Sequence, residues 1–293
     1  LHLCDRRQRQ MCIRDSAKGV WRDIVPVLRR FDVDDLLCRL DACGDKYAII
    51  DRVNYYCKSQ FRICSESIKL CDIKKSLCAS SYYYDLKEYT RGLPPPTLIN
   101  FLPGDTNFTA LYPVLTKTRP IAGDNRNNVI LNFNKIRHNI FVNDRTDWRE
   151  KTDTLVFRGK VHHNLKRVSF FEQYFGQKHI DIGDTNKHTD FPQWSADRMP
   201  IPKQLKSKFV LSLEGNDVAS NLKWIMSGHS LAVMPEPEFE SWFMEGQLIP
   251  DVHYLCIKRD YNDLYEKMDW AMTHPKEAIE IIDNANEWIL SLI

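Results

Sequence analysis

The chain has 293 residues, 43% of them hydrophobic, enough to bury one large core or two ordinary ones. A formal net charge of +2 argues against a protein built mainly to grip nucleic acid, which carries a marked basic excess. No apolar run reaches the roughly 18 residues of a transmembrane helix.

Residues 1–16 are polar and Arg-rich, without the apolar stretch of a signal peptide. The chain starts without Met, and Met11-Cys12-Ile13-Arg14-Asp15-Ser16 reads like translated adapter. Residues 1–16 are therefore expected to be non-native, with the true N-terminus missing. From Val20 to Ser81 the pattern predicts mostly helix: Val20, Ile24, Val27, Leu28 and Phe31 fall at helical spacing, as do Leu36, Leu37 and Leu40. Cys57, Cys64, Cys71 and Cys78 recur every seven residues. On a helix that spacing sets them on one face roughly 10 Å apart. This is too far for a shared zinc or a disulfide between neighbours. Free thiols in a reducing cytoplasm are expected.

Pro94-Pro95-Pro96 is a rigid break. Leu98–Leu102 predicts a strand closed by a Pro103-Gly104 turn, and Val129–Phe133 another strand. Beyond Lys151 strands and helices alternate. Leu155–Phe157 is a strand, followed by a basic loop and a helix through Tyr174. His179–Ile182 is a strand before Gly183. Lys208–Leu213 is a strand, followed by Gly215 and a helix from Val218 to Met226. Ser230–Met234 is a strand, Phe239–Met244 a helical turn, His253–Ile257 a strand, Tyr261–Met272 a helix, and Pro275 opens a last helix to Ile293. This alternation is the pattern of a parallel sheet covered by helices, an α/β fold.

Three stretches can carry chemistry. In Lys208–Trp224, Gly215 permits a tight turn and close ligand approach, and Asn216 and Asp217 suit an N-cap. Unpaired amides at a helix start favour an anion, and ligands of open α/β sheets sit beyond the carboxyl ends of the strands. The same pattern also describes an ordinary capped β–α connection. In Phe157–Arg167, six basic residues fall together: Arg158, Lys160, His162, His163, Lys166 and Arg167. A diphosphate needs such charge, and Arg offers it a bidentate fork; a solvated basic face would read the same way. Adjacent His162 and His163 point in different directions and have no evident third ligand, so no metal site is expected. In Phe101–Asp105, a strand end and a glycine turn present a carboxylate able to serve as a general base, although Gly-Asp is also a common capping pair. No Gly-x-Gly, P-loop, Gly-x-Ser-x-Gly or His-Glu-x-x-His occurs.

Ser212–Met226, the following Ser230-Leu-Ala-Val-Met-Pro-Glu-Pro237, Phe239-Glu-Ser-Trp-Phe-Met-Glu-Gly246 and Leu248-Ile-Pro-Asp-Val-His-Tyr254 resemble the core motifs of glycosyltransferase family 90. Trp148–Lys151 leading into Val156-Phe-Arg-Gly159 resembles that family's other hallmark. The nearest branch is the bacterial lipopolysaccharide A proteins. Protein O-glucosyltransferases and capsule-associated proteins are more distant. The resemblance runs from Tyr82 to Ile293.

The resemblance implies a GT-B-like fold, two Rossmann-like lobes with a cleft between them. Residues 17–145 would form the acceptor-side lobe and residues 146–274 the nucleotide-sugar lobe, with 275–293 a helix crossing back. It implies sugar transfer from a nucleotide-sugar, UDP-linked, to a hydroxyl of lipopolysaccharide or another surface glycan. Inversion is implied, with no metal and no cofactor beyond the donor. Asp105 would be the catalytic base. Arg158 matches the family's diphosphate-binding arginine, with Gly159 and Lys160 beside it. Gly215, Asn216, Asp217, Val218, Ala219, Ser220 and Asn221 match its nucleotide-binding turn. Asn221 stands where the relatives carry an arginine, so a second positive contact would be absent or would come from Lys223, Lys160 or Arg167. Glu238 or Glu240 would accept the ribose hydroxyls. A lipid-linked acceptor implies a cytoplasmic enzyme in peripheral contact with the inner face of a membrane. The rival readings are a non-catalytic sugar- or nucleotide-binding relative and another α/β transferase with an anionic nucleotide donor, such as a sulfotransferase.

Overall fold

The computed structural model describes residues 44, 46–60, 63–162 and 164–292. Contacts divide it into two compact units. One holds the described residues through Arg137 together with Phe239–Trp242; the other holds His138–Glu238 and the described residues from Phe243 onward.

The N-terminal unit begins with helix α1, Lys46–Tyr56. After it come short strand β1, Ile68–Lys69, and helix α2, Ser80–Thr90. The mostly helical region predicted up to Ser81 is thus interrupted by a strand. Ile68 and Lys69 instead pair antiparallel with Ile99 and Leu98 of β2, Leu98–Ile99. Cys57 follows α1 and Cys71 lies in a 3-10 turn, so the cysteine repeat does not lie on one helix. All four of its thiols are free. The predicted helix across Val20–Leu40 lies outside the described residues. Strand β3, Val114–Thr116, pairs in parallel with β5, Asn128–Ile130, while β4, Arg119–Pro120, pairs antiparallel with Phe239–Glu240. The predicted helical turn at Phe239 is therefore a strand. Its register, Glu240 opposite Arg119, joins two charges the linear sequence keeps far apart. Leu70, Ile73, Tyr82, Leu86, Ile99 and Phe133 form this unit's core.

Asp85 on α2 gives this unit a pH dependence. Its Oδ2 accepts hydrogen bonds from the amides of Asn134 (2.7 Å) and Lys135 (3.2 Å), the latter opening the four-residue helix α3, Lys135–His138. Burial pushes its carboxyl up from 3.8 to about 6, against the pull of Lys135 and those amides. The folded state thus holds this proton more tightly than the unfolded chain does. Between these two values the stabilisation declines as pH rises, because the ionised carboxylate is the form that burial penalises. Urea denaturation across that window is expected to show Asp85→Asn flattening the decline.

The C-terminal unit is built on a five-stranded sheet. Strand β6 is Thr152–Gly159, β7 Ile180–Asp184, β8 Ser207–Leu211 and β9 Leu231–Met234. Phe239–Glu240, the partner of β4, is β10, and β11 is Leu255–Cys256. The sheet order is β11-β9-β8-β6-β7, every pair parallel. Each residue of β8 and β9 is buried, as expected for strands covered on both faces. Helix α4, Leu165–Tyr174, joins β6 to β7; the short α5, Ile201–Gln204, precedes β8; and α6, Leu222–Met226, joins β8 to β9. Helices α7, Leu264–Thr273, and α8, Pro275–Leu292, end the chain. Ala278, Ile281, Ile282, Ala285 and Ile289 recur at helical spacing on the buried face of α8, which packs on α6, β9 and α7.

The hallmark Trp148–Lys151 anchors the start of β6. The Trp148 indole donates to Lys208 O at 3.1 Å, and the buried Lys151 ammonium is shared among Asp144, Leu205 O and Ser230. The strand order also sets the site. After β6 the chain moves outward to β7, then returns past β6 to lay β8 on its other side. With right-handed crossovers, the connections after β6 and β8 leave on opposite faces, and a crevice opens between them at the carboxyl ends.

Candidate active site

The loops that follow β6 and β8 flank the sheet's switch point, residues 158–162 and 164–167 on one side and residues 212–221 on the other. Asn164 caps α4, its Oδ1 accepting from the Arg167 amide at 3.1 Å, while its Nδ2 donates to Gly215 O at 2.8 Å. Arg167 donates from NH1 to Lys160 O (2.6 Å) and from NH2 to Leu213 O (2.7 Å), so one guanidinium holds both loops. It lies over the Phe157 ring, 5.6 Å from the centroid. Space at Gly215 is tight: a Cβ would sit 3.3 Å from Arg167 NH2. Gly159 is similarly restricted, because a Cβ would meet the Phe157 ring at 2.6 Å.

Loop 212–221 differs from the predicted turn and helix start. The helix begins at Leu222 rather than Val218 and has only five residues, so no helix start adjoins Gly215. The reason lies in local hydrogen bonds. The Gly215 amide donates to Asp217 O at 3.0 Å, Asn221 Nδ2 to Leu211 O at 2.9 Å, and Ser212 Oγ to Asn221 Oδ1 at 3.2 Å. Asn221 thus closes the loop on itself, an exchange that competes with helix. Asp217, Val218 and Ala219 are buried, Ser220 is half-buried, and Asn216 is exposed. The ten-residue helix whose first turn borders Gly215 is α4, through Asn164.

Arg158 lies at the end of β6, in register with Gly183. Its NH2 pairs with Asp181 Oδ1 at 2.6 Å and its NH1 donates to Asp181 O at 2.8 Å; its Nε is buried without a partner. Gly183 clears the way for this side chain, since a Cβ there would lie 3.3 Å from Arg158 Nε and 2.3 Å from Ala196 Cβ. Lys160 is exposed, and its ammonium makes no hydrogen bond or ion pair among the described residues. His162 is exposed with φ 49°, and His163 lies outside the described residues.

A chain of charges runs along the same strand ends. Lys166 Nζ lies 2.7 Å from Glu214 Oε2 and 2.8 Å from Glu238 Oε2, and Arg259 pairs with the other oxygen of Glu238. The hydrogen bond from Lys166 holds the Glu238 carboxyl below its ordinary range, opposed by partial burial and helped by Arg259. Lys223 is elsewhere: fully buried, it pairs with Glu245 over the Phe243 ring. Asp184 had drawn no attention in the sequence. Fully buried, its Oδ1 accepts from the amides of Val161 (3.1 Å) and Asn186 (2.9 Å), and its Oδ2 accepts from the Thr189 hydroxyl. A Gly-Asp pair at a strand end was the available signal.

In the N-terminal unit, Gly104 takes φ 110°, a conformation that favours glycine, and turns the chain into Asp105. The carboxylate is 35% exposed, and its Oδ1 lies 2.5 Å from Lys117 Nζ. The Thr106 amide donates to Thr118 Oγ1 (3.2 Å), whose hydroxyl donates to Thr106 O (3.1 Å). Glu240 is buried, with Arg119 Nε 2.7 Å from one oxygen and the Tyr55 hydroxyl donating to the other. Arg119 also donates to Tyr55 O, Tyr56 O and Asn128 O, satisfying carbonyls at the end of α1. Glu238 and Glu240, close in sequence, thus belong to different units. Among the described residues no helix is long and apolar enough to cross a membrane.

Comparison with known proteins identifies the family. The family model described as "Glycosyl transferase family 90" matches residues 123–293. O-glucosyltransferase LpsA of Dichelobacter nodosus is 36% identical over 244 residues, covering 83% of this chain and 76% of the relative. Protein O-glucosyltransferase 3 of Rattus norvegicus is 28% identical over 144 residues, 47% of this chain and 28% of the relative. The Homo sapiens protein of that name is 28% identical over 146 residues, with the same two shares. The chain belongs to glycosyltransferase family 90 and is a glycosyltransferase.

Proposed function

We propose that this enzyme moves a sugar from a UDP-linked donor to a hydroxyl of lipopolysaccharide or another surface glycan, with inversion and without a metal. The observation that carries the donor side is the clamp of Arg167 and Asn164, which holds the loops after β6 and β8 together around the sheet's switch point. The diphosphate lies in that crevice. Lys160 reaches it directly, and Arg158 does so by exchanging Asp181 for phosphate. Asn216 and the amides around Gly215 complete the contact, and Glu238 accepts the ribose hydroxyls. Fixed charge of this kind stabilises a leaving diphosphate without reorganisation during the reaction.

Asp105 takes the proton of the acceptor hydroxyl. The acceptor oxygen then bonds to the anomeric carbon from the face opposite the diphosphate. The bond from that carbon to the diphosphate oxygen breaks, its electron pair leaves with UDP, and the configuration inverts. In this reading the two units are the lobes of a GT-B enzyme. The acceptor is a glycan or lipid-linked glycan reached by peripheral contact at the cytoplasmic face of a membrane. The name of the Dichelobacter relative favours glucose as the sugar.

A donor screen read by nucleotide release, with UDP, GDP and adenosine 3′,5′-bisphosphate compared by thermal shift, tests the reading. UDP is expected to stabilise the protein, and turnover to survive chelation by EDTA. Stabilisation by the bisphosphate alone would overturn it.

A further inference from the structure

We infer that Lys117 is a positioning residue for the catalytic carboxylate; the inference rests on the reading of Asp105 as the base. Thr116, Lys117, Thr118 and Arg119 are four consecutive polar side chains with exposures of 0%, 1%, 0% and 0%. Burying such a run is costly unless each group has a partner. The Thr116 hydroxyl has no partner among the described residues, whereas Thr118 secures Thr106 and Arg119 secures Glu240 and the end of α1. Lys117 sends its ammonium to Asp105 Oδ1 at 2.5 Å.

The pair is asymmetric. The ammonium side is 1% exposed and the carboxylate side 35%. In such surroundings the cation acts strongly on the carboxylate, while the carboxylate stays within reach of a substrate. The backbone on either side of Asp105 is fixed, by the Gly104 turn before it and the Thr106–Thr118 exchange after it. The contact with Lys117 restrains the side chain as well and favours its ionised form. The proton taken from the acceptor passes from Asp105 to water as product leaves, and the carboxylate is restored. Loop 102–106 carries no other ionisable side chain, and the other charge on 114–120, Arg119, is engaged by Glu240.

The test compares kcat, donor KM and the pH profile of kcat/KM for Lys117→Met, Lys117→Arg and Asp105→Asn, with circular dichroism and thermal melting as the measure of folding. Lys117→Met is expected to lower kcat by about tenfold or more and to leave donor KM within about twofold. Its acid limb should move up by about one pH unit or more, because a carboxyl without its cation ionises later. Lys117→Arg keeps the charge but displaces it, so kcat should fall with the acid limb in place. An unmoved acid limb in Lys117→Met overturns the inference. If Lys117→Met misfolds, Lys117→Arg decides: lowered kcat with an unshifted limb supports the inference, and wild-type kcat overturns it. Turnover retained in Asp105→Asn would instead remove the base assignment itself, a separate result.

Discussion

Asp105→Asn is expected to lower kcat by about two to four orders of magnitude, the usual contribution of a positioned general base. UDP binding should be unchanged, because every group assigned to the donor lies in the other unit. Asparagine keeps the size of the side chain, but it cannot take a proton. The substitution also leaves the Lys117 ammonium, 1% exposed, beside a neutral amide. Some stability should therefore be lost, since the substitution removes an ion pair whose cation is buried. Parallel UDP titration and thermal melting separate the two effects. A variant that melts earlier yet binds UDP normally and turns over normally would show that Asp105 serves only as the partner of Lys117.

Glu240→Ala is expected to destabilise the protein by about 3–5 kcal/mol, the range for removing one partner of a buried ion pair. Glu240 is 2% exposed and Arg119 is fully buried. Without the carboxylate the guanidinium keeps its bonds to Tyr55 O, Tyr56 O and Asn128 O but has no counter-charge. The Tyr55 hydroxyl loses its acceptor as well. Denaturant melts would show a lowered midpoint with little change in slope. A ribose-binding role for Glu240 predicts another outcome, normal stability with a raised donor KM. The burial favours the structural role and leaves Glu238, at the open strand ends, as the ribose candidate.

The legible parts of the fold were those that local pattern determines. The strands at 155, 180, 208 and 231 are short apolar runs bounded by turn residues, and each lies in the parallel sheet. The N-terminal unit was harder. Ile68–Lys69 is a strand only because Leu98–Ile99 pairs with it, and Phe239–Glu240 only because Arg119–Pro120 does. Neither partner can be seen in a local window. The same limit applies to the site. The basic loop after β6 and the turn at Gly215 were visible as separate features, but Arg167 as the clamp between them was not. Its two acceptors, Lys160 O and Leu213 O, are backbone atoms that leave no trace in residue identity. Lys223 and Glu240 sat inside family motifs and read as ligand contacts. Their partners, Glu245 and Arg119, lie 22 and 121 residues away, and their burial shows that a motif can hold a fold's interior charges as well as its ligand.

The central claim is that the donor's diphosphate is held between the loops after β6 and β8. Calorimetric titration of UDP into the wild type, Arg158→Ala and Lys160→Ala tests it most directly. Each lost charged contact should weaken binding by about ten- to a hundredfold, the equivalent of roughly 1.5–3 kcal/mol. Wild-type affinity for UDP in both variants, with folding intact, would contradict the account.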